Sequence, residues 1–346
     1  MTTTAVRIAS GPSLATRRRA GLVLGIAALA VLATFSLAVG SRTIPLATSI
    51  DALTHYDPTN DLHLVVRELR VPRTLLAVVV GAALGLAGAL MQALTRNPLA
   101  EPGILGINAG AAAAVVIGVT AFGVTSIGGY VWFGFLGAGV AGVAVFLLGR
   151  AHDAGTNPVR LVLAGAGLTV MLGALTWIVV VNAPEQTLEA FRAWETGSLA
   201  GRGLDVVPVV VGAVAAGALI CAVLAPSLNA VALGSDLGAA LGVRTRRTWV
   251  LATIALLLLA GSATAAAGPI AFVGLAAPHL ARLAVGTDQR WILAYSALFA
   301  SVVLVAADVL GRVVAHPAEI GAGVMSAIIG GPFFVAFVRR RRLPHV

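Results

Sequence analysis

The 346-residue chain contains no lysine: all 23 of its basic residues are arginine. A phosphate-binding loop of the form G-x-x-x-x-G-K-[ST] is therefore excluded, and with it an ordinary Walker ATP site and any lysine Schiff base. Cysteine is almost as scarce. The single Cys221 rules out an internal disulfide framework and a thiolate metal cluster, and within an apolar run it reads as a small packing residue. Charge of either sign is sparse, at 11% of residues, and the acids number 14. No Asp, Glu or Arg falls near the middle of an apolar run; Asp308 and Arg312 stand at the end of one, and Glu101 stands between two. Ion-coupled transporters keep such a charge at mid-membrane as the coupling site. If this chain moves a solute uphill, the energy must come from another subunit. The 6 histidines are scattered, which argues against a membrane-embedded enzyme. His279, beside Pro278, has no second ligand at i+4 and reads as a packing residue.

What is abundant is apolar: 59% hydrophobic residues and a mean hydropathy of +0.97 leave too little polar surface for a soluble globule. The expectation is an all-α, multi-pass membrane protein. Ten apolar runs approach the length that crosses a bilayer, near 22–39, 75–94, 103–122, 130–149, 161–181, 206–225, 249–267, 270–285, 291–310 and 320–338. The eighth is short and interrupted by Pro278. Arg17, Arg18 and Arg19 precede the first run and Arg339 to Arg342 follow the last, so both termini are expected in the cytoplasm. That topology puts 16 arginines and 4 acids inside against 7 arginines and 10 acids outside. The basic character is then a topology signal, and nucleic-acid binding is not expected. The first run is too long for a usual signal-peptide core and is read as a retained helix. Residues 1–20 and 339–346 are cytoplasmic tails, and 21–338 form one ten-helix domain.

Residues 69–110 carry the strongest functional signal. An arginine-marked entrance (Arg70, Arg73) leads into a span with Gly81, Gly85, Ala87 and Gly88, whose small side chains let helix backbones approach closely. Met91 and Gln92 add a flexible and a polar group. The break Arg96-Asn97-Pro98-Leu99-Ala100-Glu101-Pro102 follows, and non-helical backbone at such a depth is tolerated where protein buries it or an aqueous path passes. A second polar segment, 227–249, lies on the expected cytoplasmic side. Leu237, Ala240 and Leu241 recur at helical spacing, Ser235 and Asp236 can cap, Gly242 can end a short helix, and Arg244, Arg246 and Arg247 follow. It reads either as an ordinary amphipathic loop or as short helices that seat in a partner. Phe191 and Trp194, among Glu185, Glu189 and Glu195, read as interfacial anchors or as the wall of a vestibule.

Five stretches in order, LRVPRTLLAVVVGAALGLAGALMQALTRNPLAEPGILG from Leu69, FRAWETGSLAGR from Phe191, SLNAVALGSDLGAALGVRTRRT from Ser227, GSATAAAGPIAFVGLAAPHLARLAVGTDQRW from Gly261 and ADVLGRVVAHPAEIGAGVMSAIIGGPFFVAFVRRR from Ala307, closely resemble the FecCD-type permeases. These are the membrane subunits of ABC importers for ferric siderophores, haem and vitamin B12. The resemblance implies ten helices with an inverted internal repeat and a pair of permease subunits, two copies or two related chains. It further implies two cytoplasmic ATP-binding subunits and an extracytoplasmic binding protein that delivers the ligand. It implies no cofactor and no catalytic residue. Arg70, Arg73 and Arg312 match the family's arginines that pair with one acid on each lobe of the binding protein. Arginine suits that task because its planar fork stays charged and binds carboxylate bidentately. Reversing Arg70 and Arg73 to Glu is expected to weaken docking without harming insertion. Leu233, Gly234, Asp236, Leu237, Ala240, Leu241, Gly242 and Arg244 become the ATPase-coupling element. Asn97 and Leu99 become inner-gate residues, with a looser match at Asn157, Pro158 and Val159. The nearest resemblance is to permeases for ferric enterobactin-like siderophores, ahead of vitamin B12 or haem permeases of the same family. An ion-coupled secondary transporter is the alternative from another class.

Overall fold

In lipid, a segment satisfies its own backbone hydrogen bonds only as a helix or in a closed barrel. The computed structural model describes residues 14–124, 126–149, 158–232 and 234–340, and every regular element among them is helical. α1 (Leu14–Ala38) and the short α2 (Leu46–Thr54) lead to α3, one continuous helix over Asp61–Thr95. α4 (Ile107–Phe122), α5 (Ile127–Leu148), α6 (Pro158–Val181) and the amphipathic α7 (Glu185–Glu195) follow. α8 (Val206–Ala232), the six-residue α9 (Ser235–Ala240), α10 (Thr245–Ala267), α11 (Val273–Val285), α12 (Gln289–Val314) and α13 (Ala322–Arg340) complete the chain.

A helix lies at each of the ten apolar runs, but only seven are long and apolar enough to cross a membrane: α1, α3, α5, α6, α8, α10 and α12. The other three, α4, α11 and α13, are shorter apolar helices, so among the described residues length and composition alone support seven spans of the ten expected. α11 has 13 residues, a rise of about 20 Å against roughly 30 Å of hydrocarbon. Local sequence sets its start, because Gly268 (φ +76°) and Pro269 interrupt the helix that precedes it. α3 begins well before the expected residue 75, at Asp61, where the Asn60 side chain accepts a hydrogen bond from Leu62 N at 3.0 Å.

α3 is the axis of the molecule, with nearly all of its residues from Pro72 to Thr95 buried. It packs against α12 and α11 through its small residues. A Cβ on Gly85 would strike the Ser296 carbonyl, and one on Gly88 the Gly274 carbonyl, so only glycine permits these approaches. Ser301 Oγ donates to Val78 O at 2.7 Å across the same interface. By contrast α1 and α6 leave most of their apolar surface exposed, as helices facing lipid or another membrane chain do.

Two departures from regular winding mark α3 and α10. Residues Val65–Arg70 and Leu257–Gly261 form wider, π-type turns. In α3 the Val71 amide bonds back five residues to Val66 O, and Pro72 follows immediately. Proline lacks the amide and crowds the carbonyl four residues back, and a widened turn relieves both problems without ending the helix. The wide turn ends at Arg70.

Candidate functional site

Arg70, Arg73 and Arg312, far apart in sequence, meet at one end of the bundle. They do not meet as free surface cations, because all three are buried and each has partners inside the chain. Asp308, only 1% exposed, is the hub. Arg73 Nε donates to both Asp308 carboxylate oxygens at 2.9 and 3.1 Å, and Arg312 Nη2 reaches Oδ2 at 3.1 Å. Arg312 also donates from Nη1 to the Ser36 and Val39 carbonyls at 3.0 and 2.8 Å, and from Nη2 to Ser36 Oγ at 2.6 Å. Ser36 Oγ shares a further hydrogen bond with Thr74 Oγ1 at 2.9 Å. Arg70 donates to the carbonyls of Leu37, at 2.7 Å, and Arg42. Arg73 Nη1 reaches Glu319 Oε2 at 2.6 Å in the connection between α12 and α13.

Local sequence explains the assembly. Asp308 and Arg312 stand four apart on α12, so they share a face one turn apart. Arg70 and Arg73 fall just beyond the wide turn on α3, and the end of α1 supplies carbonyls where its own helix stops. Three guanidiniums face two carboxylates, leaving one positive charge in excess. For Glu319, burial works to raise its pKa, but the hydrogen bond and charge of Arg73, with help from Ser41 and Arg312, outweigh it and hold the carboxyl below its usual range. Its ion pair is therefore complete at neutral pH and is lost only as pH falls through that lowered value. Sequence reasoning found the three arginines but not Glu319 or Ser36, and it placed Asp308 without giving it a role. The i, i+4 Asp308–Arg312 spacing on an apolar helix was the available signal.

At the opposite end, where Arg18 Nη2 donates to Val285 O at 2.5 Å and Asn229 Nδ2 to Asp288 Oδ1 at 3.0 Å, lies the 227–249 segment. Its first part is not loop: α8 runs through Pro226 to Ala232. What remains is one short helix, α9, and the first turn of α10, in place of two short helices. Gly234 (φ +121°) occupies the N-cap position of α9, so the backbone of Ser235 and Asp236, expected to cap, is already helical. Gly242 (φ +82°) follows the end of the short helix α9, as expected. Leu237 and Leu241 are 58% and 65% exposed, and Ala240, Arg244, Arg246 and Arg247 are exposed beside them. A cavity of about 520 Å³ opens there, between Val223, Pro226, Leu241, Arg244, Arg247 and Leu251. Leu233 and Asn157 lie outside the described residues.

The break after α3 is a built turn. Arg96 takes the left-handed conformation (φ +51°), Asn97 Oδ1 accepts from Leu99 N at 2.9 Å, and Asn97 N donates to Thr95 Oγ1 at 3.4 Å. Asn97 thus shapes the turn, while Leu99 is exposed. Glu101 has a role that sequence reasoning missed. Its Oε1 accepts from Phe272 N at 3.2 Å, capping α11, and Asn108 Oδ1 accepts from Thr264 Oγ1 at 2.9 Å. The two contacts tie the break and the start of α4 to residues 264–272. Phe191 and Trp194 are buried and stacked at 6.2 Å, with Trp194 Nε1 donating to Ala265 O at 3.5 Å, so they are packing residues and neither anchors nor vestibule wall. His279 is likewise buried, with Nδ1 3.0 Å from Leu275 O.

Comparison with known proteins gives this arrangement a context. The model of the FecCD transport family matches residues 28–340. The ferric enterobactin transport system permease protein FepD of Escherichia coli K12 is 42% identical over 324 residues, covering 93% of this chain and 96% of FepD. The probable siderophore transport system permease protein YfiZ of Bacillus subtilis 168 is 43% identical over 290 residues, or 84% of this chain and 86% of YfiZ. Among solved structures, an inward-facing conformation of a transporter described as of the metal-chelate ABC type matches with a TM-score of 0.82 at 26% identity. That match covers 93% of this chain and all of that one.

Proposed function

This chain belongs to the FecCD transport family, and from that premise we propose that it takes up ferric siderophore of the enterobactin kind as the permease subunit of an ABC importer. The 42% identity to FepD across 93% of the chain carries this reading. The protein is an integral membrane permease, a transport subunit whose cargo undergoes no chemistry here. Partner subunits supply the rest: a second permease chain, two cytoplasmic ATP-binding subunits and an extracytoplasmic siderophore-binding protein.

Each end of the bundle has features suited to one of these partners. The exposed Leu237 of α9 with Leu241 and Gly242 just after it, and Arg244 and Arg247 beside a cavity, offer an ATPase an apolar ridge, a socket and charge. The cluster around Arg73, with its excess positive charge, suits an acidic lobe of a binding protein. In this arrangement the arginine end faces outward and the α9 end faces the cytoplasm with both termini. ATP-driven closure of the ATPase pair, transmitted through α9, tilts the helices so that the path opens to one side at a time, with the Asn97–Leu99 turn at the inner gate.

Uptake of radio-iron presented as ferric enterobactin, beside labelled vitamin B12 and haem, in a deletion strain with and without this gene tests the reading. Loss and rescue of iron uptake alone is the expected result. Loss of B12 or haem uptake instead would keep the architecture and overturn the substrate.

A further inference from the structure

Arg73 has two carboxylate partners, and they are unequal. Asp308 is 1% exposed, lies on α12 and binds two guanidiniums at once, so it cannot leave without stranding both. The Glu319 side chain is 31% exposed, sits on an interhelical connection and reaches Arg73 through one oxygen, Oε2, to Nη1 at 2.6 Å. We infer that Glu319 is an intramolecular stand-in for a partner's carboxylate, occupying the outward donor of Arg73 until an acidic protein surface replaces it. This rests on the reading that an acidic binding protein docks at this end.

The physical case begins with burial. A guanidinium left unpaired among helices is strongly unfavourable, because its desolvation is not offset by a partner. A resting permease with three bare arginines awaiting a partner would bear that cost permanently. Here it does not: backbone carbonyls take Arg70, Asp308 and α1 take Arg312, and Glu319 completes Arg73. Exchange of one carboxylate for another at Nη1 leaves the charge state of Arg73 unchanged, so the substitution is nearly balanced where naked binding would not be. The excess positive charge then attracts the incoming acid. The other two arginines are less accessible. The 37–42 backbone lies over them, so closely that a Cβ on Gly40 would stand 3.3 Å from Arg70 Nη2 and 3.4 Å from Arg312 Nη1. Ser41, in that same stretch, helps hold the Glu319 carboxyl ionised. The partner that fits is a protein surface presenting a carboxylate to Arg73, entering beside residues 39–42 and 315–321.

The test uses the complete transporter in nanodiscs and the binding protein of the same system, with affinity measured at about 50 and about 300 mM salt, so that screening changes by a known amount. Glu319→Gln is expected to tighten binding about 3- to 10-fold, most at low salt, because the competitor's charge is gone and the cluster's positive excess has doubled. Ser41→Ala, which removes a hydroxyl that favours the ionised Glu319 without altering charge, is expected to tighten it less. Unchanged or weaker binding by both variants, with wild-type binding still salt-sensitive, would overturn the stand-in and leave the docking reading in place. Wild-type binding indifferent to salt would overturn the docking reading itself.

Discussion

Asp308 joins two of the three arginines buried in the cluster. Its two oxygens serve Arg73 and Arg312 together, and at 1% exposure water cannot take over either bond. Asp308→Ala should cost about 3–5 kcal/mol of stability by stranding two buried cations. Asp308→Leu combined with Arg73→Leu should cost less than the sum of the two single changes, because the pair is removed together. Thermal unfolding in detergent, run as a double-mutant cycle, checks this; additive losses would mean that the pair is not coupled. The same geometry revises the expectation for Arg70 and Arg73 reversed to Glu. New carboxylates at 70 and 73 would sit against Asp308, Glu319 and backbone carbonyls, so the double variant should fold poorly and any loss of docking in it would be uninformative. The probe of docking is Glu319, which can change while Asp308 still pairs Arg73.

At the scale of elements, sequence and structure agree where periodicity and punctuation act locally, and part where neighbours decide. Gly242 marks an end because its positive φ excludes most other residues. The extension of α8 through Pro226 to Ala232 was not readable, because proline tells only of a lost hydrogen bond and a steric conflict, which helical packing absorbed here. The capping of α11 by Glu101, 171 positions away, leaves no local trace in sequence. For α9, exposed apolar side chains without a covering element are the observation that matters. Leu237→Asp with Leu241→Asp should leave the permease's thermal stability within about 0.5 kcal/mol, as exposed substitutions generally do, while sharply reducing association with the ATP-binding subunits. Co-purification of the ATPase with the permease is the measurement, and undiminished recovery would remove α9 from the coupling interface.

For the whole molecule, the two ends of the bundle should face opposite aqueous compartments, and this can be tested directly. Cys221 is buried, and its replacement by serine gives a chain without cysteine. In that background, a cysteine at the exposed Ala318, beside Glu319, should react with a membrane-impermeant maleimide in spheroplasts. One at the exposed Thr287, near Arg18, should react only after lysis. The reverse pattern would invert the topology and exchange the partners assigned to the two ends. The broad exposed apolar surfaces of α1 and α6 belong at this scale as well, since a lone chain in water has nothing to cover them.

Composition alone determined that the chain is helical and lives in a membrane, because an apolar backbone in lipid has almost no other way to satisfy its amides. The absence of lysine excluded a Walker site, and the order of five motifs pointed to the family. Those conclusions need only local chemistry and covalent order. Tertiary structure decided the state of the arginines. Whether a guanidinium is a free docking group or an internally paired one depends on what the fold places within 3 Å of it. For Arg73 those groups are Asp308 and Glu319, 235 and 246 positions along the chain, a proximity created by the packing of α12 on α3 and by the connection that follows.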